Sequence, residues 1–294
     1  MKVDPPQANV GRDRFGFGEN WRSFLEQLDE ERIDQAVDSM IGLLDLESAP
    51  QVFSLAGKRM LDLGSGSGLF SLAAHRLGAE VLSIDYDAQS VACTEHLQQS
   101  HANESKWEVR QGSALDDAML SSLEPFDLVY SWGVLHHTGD MWKAIDNASG
   151  CVAPGGRLVL SIYNDQGAAS RRWLAIKKLY NRLPPFCRPL WVAGVAGFYE
   201  SIFALARLKN GRNPLPFADW RAKKKDRGMS AWHDWVDWVG GLPFEVATPE
   251  RVIAFLESRG FAIERTQLVG KGWGCNEFVF TRMVDDSQAN AFCD

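Results

Sequence analysis

The run Met60-Leu-Asp-Leu-Gly-Ser-Gly-Ser-Gly68 constrains the fold of this chain more than any other segment. Its first half is short and apolar, which is typical of a buried strand, and its second half alternates glycine with serine. A helical pattern follows at residues 69–77. In such a strand–turn–helix unit the backbone approaches a ligand closely and the first helical amides point at it. The run therefore predicts a ligand-binding turn.

The spacing of the glycines excludes two nucleotide-binding patterns. The dinucleotide fingerprint G-x-G-x-x-G needs a glycine where Leu69 or Ser71 stands, and the turn lacks the lysine of a phosphate-binding P-loop. With these two patterns excluded, the turn is suited to a ligand that carries an uncharged ribose and an amino-acid moiety. Close packing of helix on strand also favours glycine at such positions, and the run alone does not separate the two explanations.

Strand and helix patterns alternate from residue 59 to residue 163, with a turn expected at Pro154-Gly-Gly156. This alternation predicts an α/β, doubly wound, Rossmann-like fold with a mostly parallel sheet of seven strands, the last two antiparallel. A helical insertion follows the fifth strand. The expected parts are an N-terminal arm and helices acting as a lid (1–50), a ligand-binding core (51–163), a helical substrate cap (164–248), and the last helix and two strands of the core (249–284).

Composition bounds the class of protein. The chain has 294 residues, 45% hydrophobic and 23% charged, as soluble globular proteins do. Its net charge of −7 offers no electrostatic footprint for nucleic acid. Five cysteines without a CxxC pair predict neither a disulfide scaffold nor a structural zinc site. Residues 1–27 contain no apolar stretch that could serve as a signal peptide, so a cytoplasmic location is expected.

Two later turns supply further candidate contacts to the same ligand. Asp85 ends the second predicted strand, seventeen residues after Gly68, where a carboxylate in a doubly wound sheet accepts hydrogen bonds from ribose hydroxyls. Capping of the next helix is the alternative role of Asp85. Tyr86 could pack on an adenine face. Ser113 and Ala114, in the turn after the third predicted strand, could line the adenine edge.

Together these segments resemble the motifs of class I S-adenosylmethionine (SAM)-dependent methyltransferases, in particular the ubiquinone/menaquinone-biosynthesis type. Residues 62–68 match the motif E/D-x-G-x-G-x-G, residues 126–137 resemble the fourth-strand motif, and residues 152–156 match Leu-x-Pro-Gly-Gly closely. The resemblance is strong over 55–165 and weak over 250–283. It implies SAM as cofactor and a cofactor site made of Asp62, Gly64, Ser65, Gly66, Gly68, Asp85, Tyr86, Ser113, Ala114, Ser131 and Trp132.

His136 and His137 follow the fourth predicted strand, at the sheet edge where doubly wound folds bind ligands. Methyl transfer from a sulfonium requires alignment of the acceptor, and an oxygen or ring-nitrogen acceptor also benefits from a base. We predict that one of the pair is catalytic or orients the substrate. Capping of the next helix or orientation of a loop is the alternative. No metal site is expected, because no third ligand has a recognisable spacing.

Aromatic and polar residues outside the core supply further candidates. Asn20 and Trp21, in the N-terminal arm, either cover the cofactor or tuck the arm onto the core. In the insertion, tryptophans alternate with ionisable residues up to Glu245, which suits a small-molecule pocket as well as ordinary packing. The substrate and catalytic candidates in and before the insertion are Tyr163, Asn164, His233, Asp234 and Asp237.

Residues 190–227 combine an apolar segment with a basic one. Residues 190–206 carry a single charge, Glu200, and residues 207–227 hold eight Lys or Arg and two Asp. The preferred interpretation is a cap helix followed by a solvated loop. Weak contact with an anionic membrane surface is the second interpretation, and contact with RNA is the weakest.

The sequence therefore predicts a SAM-dependent methyltransferase of a small-molecule acceptor. Oxygen is the favoured attacked atom, and a sugar, a glycan precursor or an aromatic or quinone-like metabolite would suit the insertion. Two alternatives stay open: methylation of a protein or RNA, and a SAM-binding protein without catalysis. The oligomeric state is not predicted.

Overall fold

The computed structural model describes residues 28–45, 54–102, 106–216, 231–270, 272 and 274–284. The strands are β1 (Arg59–Leu63), β2 (Glu80–Asp85), β3 (Trp107–Gln111), β4 (Phe126–Trp132), β5 (Val152–Tyr163), β6 (Phe261–Gln267) and β7 (Cys275–Arg282). The helices are α1 (Glu30–Leu44), α2 (Leu69–Arg76), α3 (Ala88–His101), α4 (Asp117–Ser121), α5 (Met141–Gly150), α6 (Ala168–Arg182), α7 (Arg188–Lys209), α8 (Ala231–Gly240) and α9 (Pro249–Glu257). Asn20 and Trp21 lie outside the described residues.

The seven strands form one sheet in the order β3-β2-β1-β4-β5-β7-β6. The pairings among β1 to β5 are parallel, and both pairings of β7 are antiparallel. Strand β7 therefore runs against the other six. The order reverses beside β1, so the turns after β1 and β4 open on the same edge of the sheet, where such folds bind ligands. The predicted doubly wound class is confirmed.

Both faces of the sheet are covered, which explains why its central strands are apolar throughout. Leu61, Leu63 and Val129 pack on one face in a core that includes α5 and α9. Met60 and Leu128 pack on the other face in a core that includes α1. Helix α1 buries the side chains that recur at helical spacing, as the sequence pattern predicts.

The expected turn at Pro154–Gly156 is wrong. These residues lie inside β5, whose pairing with β4 shifts register between Phe126 and Leu128. Gly155 takes a left-handed φ of 74°. A Cβ on Gly156 would lie 2.9 Å from the Asp127 carbonyl oxygen. The glycines therefore form an irregularity within one long strand instead of ending it, because only glycine fits this close approach.

Gly167–Phe244 form a second compact unit, whose described helices are α6, α7 and α8. Its core contains Trp173, Tyr180 and Val239, with Trp235 and Trp238 packed against it. The Trp173 and Trp238 rings meet edge-on, with centroids 6.0 Å apart. The tryptophans that sequence reasoning considered for a pocket thus serve at least as packing residues of this unit. The side chains of His233, Asp234 and Asp237 lie outside the described part.

Candidate cofactor and acceptor site

The turn between β1 and α2, residues 64–68, is tied to the end of β2. The Gly64 amide donates to the Ile84 carbonyl at 2.7 Å, and the Gly68 amide donates back to the Ser65 carbonyl at 2.8 Å. The Ser65 hydroxyl lies 3.0 Å from the Thr94 hydroxyl on α3. These bonds hold the turn against the carboxyl end of the sheet, as the Met60–Gly68 run predicts.

Two glycines of this turn are required by packing as well as by conformation. Gly64 has φ +94°, and a Cβ there would lie 2.4 Å from Cγ1 of Val134. Gly68 has φ +82°, and its Cβ would lie 2.9 Å from Cγ2 of Thr94. A side chain would be strained at both positions and would collide with its neighbour. The packing explanation therefore holds for these two glycines.

The carboxylate of Asp85 faces this turn. One oxygen accepts the Gly66 amide and the other accepts the Asp87 amide, both at 2.9 Å. Burial raises the pKa of Asp85, and these two hydrogen bonds oppose the rise. The cap of α3 is Asp87, which accepts the Gln89 amide at 2.8 Å. Asp85 is therefore not the helix cap, and its carboxylate keeps acceptor capacity for a further donor.

The turn after β3 lies beside the same strand end. The Gly112 amide donates to the Asp85 carbonyl at 2.9 Å, and the Gln111 side chain donates to the Tyr86 carbonyl at 3.1 Å. The Ser113 hydroxyl accepts the Leu115 amide at 3.1 Å, which shapes the turn. The structure thus brings Tyr86 and Ser113 near Asp85, as the three sequence segments predict.

Asp62 and Ser131 are placed inside the sheet. Asp62 is 2% exposed and accepts the Ser71 hydroxyl at 2.5 Å. Ser131 is fully buried and donates to the Leu63 carbonyl at 2.7 Å. Both side chains support the strand ends on which the turns rest. Trp132, in contrast, is 37% exposed.

Three rings form a cluster after β4. A short 3₁₀ turn, Leu135–His137, carries both histidines. The ring centroid of Tyr163 lies 4.0 Å from that of His136 and 5.4 Å from that of His137. His136 is only 1% exposed, whereas His137 is partly exposed. Of the two, only His137 has a ring that solvent, and therefore an acceptor, can reach.

Residues that follow the insertion or lie on the last strand hold this region in place. The Glu245 amide donates to the His136 carbonyl at 3.0 Å, and its carboxylate accepts the Met141 amide at 3.0 Å. Burial raises the pKa of Glu245. The Asn164 side chain donates to the Gly270 carbonyl at 2.9 Å and accepts from Asn276 at 3.1 Å. Asn276 thus reaches Asn164 from more than a hundred residues further along the chain.

These residues fit the cofactor that the motifs imply. A glycine turn, an acceptor carboxylate beside it and a polar turn after β3 match an adenosine with its two ribose hydroxyls. Gly64, Gly66 and Gly68 would lie along the ligand, and Asp85 would hold the ribose. Among the described residues, no group of three or more His, Cys, Asp or Glu side chains could hold a metal ion.

Comparisons with known proteins agree with this geometry. The methyltransferase domain model matches residues 61–158. The ubiquinone biosynthesis O-methyltransferase of Cereibacter sphaeroides is 29% identical over 141 residues, 48% of this chain and 55% of that protein. The protein of the same name from Xylella fastidiosa is 34% identical over 117 residues, 40% of this chain and 46% of that protein. The chain thus spans about half the length of these relatives.

The fold has a solved counterpart. The crystal structure of magnesium protoporphyrin IX methyltransferase from Synechocystis PCC 6803 with bound SAH aligns with a TM-score of 0.51 at 17% identity. The alignment covers 90% of this chain and 93% of that one. Residues 61–158 therefore match a methyltransferase domain, and the chain shares the fold of this solved methyltransferase. SAM is the cofactor of this class.

The buried Asp62 predicts an unusual dependence of stability on pH. Burial raises its pKa from 3.8 to about 7, the hydrogen bond from Ser71 opposes the rise, and the Asp85 charge adds to it. The neutral form therefore stabilises the fold fully below pH 3.8, and this contribution is lost as the pH rises through about 7. Asp62→Asn keeps an acceptor for Ser71 without a charge. We expect it to be more stable than wild type by about 4 kcal/mol near pH 8, because each pKa unit is worth about 1.4 kcal/mol, and to converge with it near pH 3.5.

Urea unfolding at both pH values measures this difference. Asp38→Asn, on the exposed side of α1, is the matched control. A difference between Asp62→Asn and wild type that is the same at both pH values would contradict the assignment.

Proposed function

We propose that this chain transfers the methyl group of SAM to a small-molecule acceptor, with oxygen as the attacked atom. One observation carries the proposal: the glycine turn, the Asp85 carboxylate and the partly exposed His137 follow neighbouring strands at the same carboxyl end of the sheet. This arrangement supports binding of cofactor and acceptor at the same end of the sheet.

In this proposal the residues of the chain bind SAM, orient the acceptor and remove its proton. Bound SAM supplies an electrophilic methyl group with a good leaving group. Asp85 and the glycine turn hold its adenosine, and His137 accepts the proton of the acceptor hydroxyl through a ring nitrogen. His136, buried between His137 and Tyr163, keeps the His137 ring oriented. Glu245 holds the backbone of the same turn through the His136 carbonyl.

The choice of acceptor rests on two supports. A general base is useful for a hydroxyl acceptor, which is a poor nucleophile while protonated. The relatives from Cereibacter and Xylella carry the name O-methyltransferase and match 141 and 117 residues of this chain. We therefore propose a phenolic or other hydroxyl-bearing metabolite. Tyr163 and Asn164 are proposed to lie beside the acceptor.

Transfer of a labelled methyl group from SAM to three acceptor pools tests the proposal. We expect label in low-molecular-weight phenols and alcohols, and none in protein or RNA from the same extract. Label confined to protein or RNA would support the macromolecular alternative. SAM binding by calorimetry without transfer to any pool would support a non-catalytic SAM-binding protein.

A further inference from the structure

One side of α7 presents a long apolar surface to solvent. Large apolar side chains recur along it at helical spacing, and the exposed fractions are 75% for Leu190, 63% for Phe198, 43% for Ile202, 68% for Leu205 and 60% for Leu208. Single exposed leucines are ordinary, but a contiguous apolar stripe of this kind marks an interaction surface. We call these five residues the α7 stripe.

The opposite side of α7 is packed within its own unit. Val192 and Val195 are buried against the core that contains Trp173. Glu200, the one acid in the helix, pairs with Arg207 at 3.3 Å, and both side chains are largely covered. Glu200 is therefore turned away from the stripe. No Lys, Arg, Asp or Glu interrupts the stripe between Leu190 and Leu208 on the exposed side.

The length and packing of α7 indicate how it could contact a membrane. Within the described residues, Pro185–Lys209 is the one helical stretch long and apolar enough to cross a membrane by length and composition. Its 22-residue α-helical part is about 33 Å long at a rise of ~1.5 Å per residue. Because Val192 and Val195 are buried against their own unit, lipid would not contact every side of the helix. Contact along the exposed side, with the helix lying flat, satisfies both facts.

The charge around the stripe is strongly positive. Residues 167–216 contain nine Lys or Arg and a single carboxylate, Glu200, in a chain whose net charge is −7. Arg182 precedes the helix, Lys209 ends it and Arg212 follows it, and all three are exposed. A second copy of this chain would place like charges against each other, whereas an anionic lipid surface complements them.

We propose that the α7 stripe docks flat on an anionic lipid bilayer. Its side chains would enter the boundary between headgroups and acyl chains, and Lys209 and Arg212 would contact lipid phosphates. This interaction is independent of the methyl transfer proposed above, because every residue involved lies in Gly167–Phe244. Binding can therefore be measured without SAM or an acceptor.

Vesicle flotation of the full chain tests the proposal. We expect binding to vesicles containing phosphatidylglycerol to be at least tenfold stronger than to pure phosphatidylcholine, and to weaken with added salt. Phe198→Ser combined with Leu205→Ser should lower binding tenfold or more. Leu268→Ser, a similarly exposed leucine outside this unit at 50%, is the matched control and should bind as wild type does.

A charge variant keeps the test independent of the apolar substitutions. Lys209→Glu combined with Arg212→Glu should lower binding several-fold while the stripe stays intact, with thermal unfolding confirming that both double variants fold. Absence of flotation with phosphatidylglycerol, or binding that neither double variant changes, would overturn the proposal. A dimer in light scattering that the serine pair dissociates, together with absent flotation, would assign the stripe to a second copy instead.

Discussion

His137→Ala should lower the turnover number roughly 10²-fold, the lower range for loss of a general base, and leave the affinity for SAM within about twofold of wild type. The reason is positional. His137 is the partly exposed histidine of the three-ring cluster, whereas Asp85 and the glycine turn, which are proposed to hold the cofactor, follow β2 and β1. Steady-state kinetics and calorimetry separate the two quantities.

Two variants control for loss of structure. His96→Ala removes an exposed imidazole from α3 and should leave turnover unchanged. His136→Ala removes a buried ring, so we expect a clear fall in melting temperature in addition to any loss of turnover. The pH profile of His137→Gln adds a readout that packing alone would not change, because the limb due to the base should disappear. Full activity in both His136→Ala and His137→Ala would leave the pair with a structural role only.

The second large effect is expected for Asp85→Ala, which should weaken SAM binding about 10- to 100-fold. A hydrogen bond to a charged group is worth roughly 1.5–3 kcal/mol, and about 1.4 kcal/mol corresponds to a factor of ten. The carboxylate also orders the turn through the Gly66 amide. The substitution should therefore reduce SAM affinity more than the turnover number. Calorimetric titration with SAM at a temperature where the variant is folded measures it.

Asp87→Ala is the matched control for Asp85→Ala. Asp87 is two residues away and caps α3 through the Gln89 amide, so its removal should cost about 1 kcal/mol of stability with little change in affinity. Unchanged SAM affinity in Asp85→Ala would remove Asp85 from the site. Equal losses of affinity in both variants would show that the effect comes from disorder of the β2–α3 turn.

The sheet could be predicted from the sequence because its signals are local. Each central strand is a short apolar run, and each is followed by a turn or helix whose pattern is visible within about ten residues. The same reasoning failed at Pro154–Gly156, where a turn was expected. The outcome there depends on carbonyl groups of β4 that approach Gly156, and such an approach has no local signal.

The site was predictable to a similar extent. The spacing of Gly64, Gly66 and Gly68 and the position of Asp85 after β2 predicted one wall of the candidate site from the sequence alone. The sequence did not distinguish the side chains that could contact a ligand from those that stabilise the fold. Asp62 and Ser131 belong to the cofactor motifs by spacing, yet the sheet buries both, because alternate residues of a central strand face the covered sides of the sheet.

The Met60–Gly68 run by itself determined the strand–turn–helix unit and, with Asp85, the class of ligand that such a unit can hold, since both depend on spacing along one stretch of chain. Only the tertiary structure decided that Val134 closes on Gly64, that the Asp85 carboxylate faces the glycine turn, and that His137 is the more accessible histidine. Those outcomes depend on burial and on contacts between segments far apart in sequence. Packing creates both, and no local pattern encodes them.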